Sequence, residues 1–356
     1  MLRVLVMAGA VFTLLPTIAG LRETTETLVR LRWWLPGLAV ALEAASLACY
    51  AELLRTELVT AGARPSRRPV LQAVLVGTAL GKLLPGGTVA ALAAEMRILR
   101  REGVDPAVAT AAALASGIIA SLLLVVLLPL AAAVAIAGGQ QGGAALGILG
   151  VSVGTAALAV LAWIGVRDPS LGRRLGALVR RLGRRGPPAW RSRIEDIAAG
   201  IERAAGALQA AARDRHDMIR AACFAAGRWL FDFAVLAVIA LAATRGSPLA
   251  GLALAYVVGQ LAAAIPITPG GIGVVETTMT GALVAQGMTA GHAAAVVLAW
   301  RLISHWLPIV VGLIAYLAAG TGSDPQSDES DEPDAPTPES SSGSAEGSPP
   351  SSAPSA

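Results

Sequence analysis

Apolar residues in this chain gather into long runs separated by arginine-bearing connections, and the runs show no strand-like alternation. Six of them, 2–20, 34–54, 106–137, 143–165, 216–243 and 289–319, reach the ~20 residues a helix needs to cross a bilayer. Two more, 70–98 and 248–286, are interrupted by Pro85-Gly86-Gly87 and Pro269-Gly270-Gly271. The pattern predicts an all-α polytopic membrane protein with about six spanning helices and two re-entrant segments broken at Pro-Gly-Gly.

The polar connections set the topology. The longest, 166–215, opens with nine arginines in "RDPSLGRRLGALVRRLGRRGPPAWRSR", and arginine excess marks the cytoplasmic side. Its later part, "RIEDIAAGIERAAGALQAAARDR", has helical periodicity and reads as a helix along the membrane surface or as a solvated connector. Arginines cluster again at 64–68 and 97–101, so the segment between them enters and leaves on one side. The loop 21–33, with Arg22, Arg30 and Arg32, fits the scheme less well. Either broken segment is also long enough to be a true span. The first run has a weak signal-peptide character, but "TIAG" is a poor cleavage site, so it is read as a retained span. The scheme puts both termini in the cytoplasm and the chain in the plasma membrane.

The breaks recur at a fixed distance. Pro85-Gly86-Gly87 precedes Pro269-Gly270-Gly271 by 184 residues, and the same step carries Gly103 onto Gly287. Three spans separate the copies, and an odd number makes them inverted repeats, the architecture of alternating-access transporters. Backbone freed at a break inside a bilayer is tolerable only within protein or beside a water-filled cavity. A helix restarting after two glycines aims unpaired N–H groups and its positive end there, which suits an anion.

Composition adds charge to this picture. The chain is 55% hydrophobic and 15% charged, and Lys82 is its single lysine. Residues 321–356 are rich in Ser and Pro, lack aromatic and basic residues, and are expected to form a disordered acidic tail beyond a membrane domain 1–320. Setting aside the tail's eight carboxylates leaves 16 acidic against 28 basic side chains, a net of +12 that suits anionic lipid. Cys49 and Cys223 lie in apolar runs and offer no disulfide or metal spacing, and no cofactor is expected.

Eight ionisable residues fall at membrane depth: Glu43, Lys82, Glu95, Arg228, Asp232, Glu276, Arg301 and His305. Each charge costs roughly 2.5–3.5 kcal/mol at a helix centre, so they must face one another or a polar cavity. Arg228 and Asp232, four apart, are expected to pair structurally. Glu276 lies one turn past the second break, with Arg301 as its natural countercharge and His305 on the same face as Arg301. Lys82 either helps to hold an anionic head group or snorkels to the surface. The candidate translocation site is therefore Lys82, Pro85, Gly86, Gly87, Pro269, Gly270, Gly271, Gly273, Glu276, Arg301 and His305.

With "PITPGGIGVVE" followed by "LAWRLISHWLPIVVG", the chain resembles the lysylphosphatidylglycerol synthase transmembrane-domain family of flippase-like proteins. The matching positions are Pro269, Gly270, Gly271, Gly273 and Glu276, then Arg301, Pro308 and Gly312. The resemblance implies a membrane domain that moves a lipid across the bilayer. In the best-understood relatives this domain is joined to a cytoplasmic aminoacyl-transfer domain. Here an acidic tail follows instead, so synthase activity is not expected.

The first reading is a flippase for an anionic phospholipid or a polyprenyl-phosphate or glycolipid head group, partnered by lipid and by a separate lipid-modifying enzyme. The alternatives are a membrane scaffold recruiting a partner through its tail and, less favoured, an intramembrane transferase. Against an enzyme, "GTALGK" is one residue short of a phosphate loop, "GGIGVV" lacks a dinucleotide-site glycine, and neither HExxH nor GxSxG occurs. Nothing in the pattern points to nucleic acid.

Overall fold

The computed structural model describes residues 34–84, 87–137, 170–183, 214–243, 249–263 and 268–320, with isolated positions in 150–157 and 195–209. In chain order the helices are α1 (Leu35–Thr60), α2 (Arg67–Leu83), α3 (Gly87–Arg101), α4 (Pro106–Ala137), α5 (Leu171–Gly183), α6 (Arg215–Ala243), α7 (Leu249–Ala263), α8 (Val274–Ala285), α9 (Ala290–Arg301) and α10 (Leu307–Gly320). A 3₁₀ turn, Pro269–Gly271, precedes α8, and a π turn, Leu302–Trp306, joins α9 to α10. By contacts the chain divides into Met1–Ala319 and Gly320–Ala356.

Among the described residues, four stretches are long and apolar enough to cross a membrane: Leu35–Thr60, Pro106–Ala133, Arg215–Ala243 and Ala290–Ala318. They coincide with the expected runs 34–54, 106–137, 216–243 and 289–319. The expected run 2–20 and the tail 321–356 lie outside the described residues, and so does 143–165 apart from isolated positions. Leu130, Leu230, Ile314 and Leu317 stand exposed on the long helices, as lipid-facing side chains do.

The interrupted segments form helical hairpins. Gly77 lies against Glu95 and Gly81 against Ala91, so α2 and α3 run antiparallel; Gly251 against Gln286 and Gly259 against Met279 give the same sense for α7 and α8. Their limbs have 17, 15, 15 and 12 residues, each short of the ~20 needed to cross alone.

Beyond each hairpin the backbone follows one register. Val104 N–H donates to Leu99 O and Gly103 N–H to Arg100 O; Met288 N–H donates to Leu283 O and Gly287 N–H to Val284 O. Gly103 (φ 76°) and Gly287 (φ 91°) adopt the left-handed conformation that closes a helix in this way. A long helix then restarts at Pro106 in one case and at Ala290 in the other. Each of these atoms and boundaries maps onto its counterpart 184 residues later. α1 likewise precedes the first hairpin as α6 precedes the second.

α1 and α6 pack together, with Ser46 Oγ donating to Arg228 O at 2.9 Å and Cys49 lying over Gly227. Two apolar clusters flank this seam. One joins Leu54 and Leu58 of α1 to Val74 and Leu99 of the first hairpin; the other joins Leu236, Tyr256, Met279 and Trp300 around the second. α10 crosses α2 so closely that a Cβ on Gly312 would meet the Leu75 carbonyl and stand 2.6 Å from Ala79 Cβ. Small residues at such crossings are how membrane helices approach. In the basic connection, Arg180 of α5 pairs with Glu202 and reaches Glu195 at 4.0 Å, tying α5 to the segment after it.

Candidate functional site

The second break is built by three glycines. Gly270 (φ 60°), Gly271 (φ 68°) and Gly273 (φ 82°) turn the chain sharply before α8 begins at Val274. Glu276, in the first turn of α8, reaches back so that Oε2 accepts from Gly273 N–H at 2.7 Å, satisfying an amide that the helix start leaves open. Its other oxygen accepts from Arg301 Nε at 2.7 Å.

Arg301 is fully engaged. Nη2 donates to Gly270 O at 3.0 Å, and Nη1 lies 3.2 Å from His305 Nδ1. A guanidinium can only donate, so Nδ1 accepts and the neutral ring carries its proton on Nε2. That Nε2 is buried and has no partner among the described residues. It lies beside Gly270, where an added Cβ would stand 3.0 Å from Nε2, 2.5 Å from His305 Cε1 and 2.8 Å from Lys82 O. Only glycine fits this position, for space as well as for φ.

Lys82 enters from the other hairpin. Its Nζ donates to Ser304 O at 2.6 Å. In a regular helix that carbonyl would accept from residue 308, but Pro308 has no N–H and its ring crowds the carbonyl four residues back. The chain relaxes into the π turn, and the freed acceptor meets the lysine. The end of the first hairpin's leading helix and the turn of the second thus meet over the π turn. Pro85 and Gly86 lie outside the described residues, as does the side chain of Pro269; Gly87 begins α3.

The expected Arg228–Asp232 pair is corrected. Asp232 Oδ2 accepts from Tyr256 Oη at 2.7 Å and Gln260 Nε2 at 2.8 Å, while Oδ1 accepts from Trp300 Nε1 at 3.2 Å. Arg228 instead lies over the ring of Tyr50, 4.1 Å from its centroid, and 5.0 Å from that of Trp229. Helical spacing put the two residues on one face, but neighbouring helices offered Asp232 three neutral donors and Arg228 the ring of Tyr50. Glu43 is buried near Asp232, Lys82 and Arg228, with Oε2 unpartnered.

Sequence reading brought Glu276, Arg301, His305 and Lys82 to one place and missed Tyr256, Gln260 and Trp300. Gln260, a lone amide four residues after Tyr256 in an apolar helix, was a readable signal; Trp300 gave none.

Helical hairpins, lipid-length helices and buried charge define a polytopic α-helical membrane protein. Its sequence matches the family model of the lysylphosphatidylglycerol synthase TM region over residues 1–312, and the chain belongs to that family. It is also 30% identical over 120 residues to a UPF0104 membrane protein of Methanothermobacter thermautotrophicus. That match covers 34% of each chain, about a third of the archaeal protein's length.

Proposed function

We propose that this protein is a lipid flippase without catalytic activity, moving an anionic phospholipid or polyprenyl-phosphate head group across the plasma membrane while the acyl chains stay in lipid. The observation that carries the reading is the meeting of Lys82 and the unpartnered His305 Nε2–H beside Gly270. Both are donors. Lys82 rests on a backbone carbonyl that a phosphate oxygen can replace, and His305 Nε2 has no acceptor among the described residues. Arg301, with every nitrogen already bonded, positions the turn and the imidazole without needing to touch the lipid.

The common register across 184 residues supports reading the two halves as inverted repeats. The short antiparallel limbs support re-entrant hairpins whose turns line the path. In this reading the arginine-rich connections and both termini face the cytoplasm.

The test is dithionite quenching of fluorescent lipids in proteoliposomes, with phosphatidylglycerol, phosphatidylcholine and a polyprenyl phosphate compared, for the full chain and for a 321–356 deletion. Faster exchange of an anionic lipid, kept on deletion, is expected. Exchange of no lipid by folded protein would overturn the proposal in favour of a scaffold.

A further inference from the structure

A second polar feature lies away from the paired breaks. Between α1, α3 and α4 runs a groove of about 450 Å³, lined by Tyr50, Leu92, Glu95, Leu114, Gly117 and Ile118 among others. Its volume falls within the ~300–1,000 Å³ of small-molecule sites, and its lining has their usual composition, apolar walls with a few polar groups, here Tyr50, Glu95 and Ser121. Ile118 is exposed at its rim, so the groove opens toward the hydrocarbon side of the helices.

Glu95 is the acid among them. It is only 8% exposed, and among the described residues no hydrogen bond or ion pair holds it. Its carboxyl rests on the bare face of Gly77, where a Cβ would come within 2.8 Å of Glu95 Cγ and closer still to Oε1. The structure turns Glu95 inward, onto α2. A buried acid without a partner needs an explanation, and in an apolar membrane segment such a group marks a ligand path.

We infer that this groove binds a small hydrophobic organic cation, delivered from the bilayer, with Glu95 as its counter-charge and the aliphatic walls enclosing its apolar body. A cation is the ligand class that stabilises the ionised form of a buried carboxyl, and an anion disfavours it. The site is separate from the proposed translocation site and does not depend on it.

The test is equilibrium binding of tritiated tetraphenylphosphonium to the full-length protein in detergent. Saturable binding is expected, weakened at least tenfold by Glu95→Gln and by Gly117→Leu. The second variant fills the groove from a position where an added Cβ meets nothing among the described residues. Octyltrimethylammonium should displace the probe and octyl sulfate should not. No saturable binding by folded protein, or unchanged affinity in either variant, overturns the inference. Displacement by equimolar phosphatidylethanolamine also overturns it, since the occupant would then be a lipid.

Discussion

Arg301 shows how a single side chain ties its own helix turn to groups 25 and 31 residues away. It joins Glu276, Gly270 and His305, and its side chain is 7% exposed in the pair with Glu276. Removing one partner of a buried ion pair strands the other, which costs about 3–5 kcal/mol. Arg301→Ala should lower thermal stability accordingly, and Glu276→Gln, whose amide oxygen still accepts from arginine, should lower it less. A melting temperature equal to that of the native protein would remove the pair from the account. This pair was legible because opposite charges in apolar runs have few places to go. The fate of Arg228 and Asp232 was not, because it depends on rings and amides contributed by α1, α7 and α9. The Lys82–Ser304 contact was half legible. Pro308 announces a freed carbonyl, but which donor takes it is a matter of tertiary packing.

At the scale of elements, hydropathy and Pro-Gly-Gly punctuation gave the boundaries of α1, α4 and α6 within a few residues, except that α1 runs on to Thr60. The breaks themselves were readable as breaks; their closure into antiparallel hairpins was inferred only from arginine counts. The π turn left no mark except Pro308, since a bulge of one residue barely alters hydropathy. Gly103 and Gly287 hold matching caps, so alanine at either position should cost a similar amount, about 1–2 kcal/mol for a left-handed non-glycine residue. Parallel losses in unfolding measurements are expected, and a large loss at one site alone would contradict the equivalence of the two turns. Gly312 invites a harsher test. Any side chain there drives α10 from α2, so Gly312→Val should yield little folded protein in size-exclusion chromatography.

For the whole molecule, the two hairpins, each leaning on its own apolar cluster, meet where Lys82 of the first contacts the π turn that carries His305. In the proposed function a head group carrying phosphate exchanges with Ser304 O on Lys82 and engages His305, and the carbonyl recovers the lysine when the lipid leaves. That exchange is the central claim. Its most direct measurement is the initial rate of anionic-lipid exchange in proteoliposomes for Lys82→Met and Lys82→Arg beside the native protein, all shown to be folded. The account predicts at least a tenfold loss for methionine, which has no donor, and substantial retention for arginine. A native rate in Lys82→Met would contradict it.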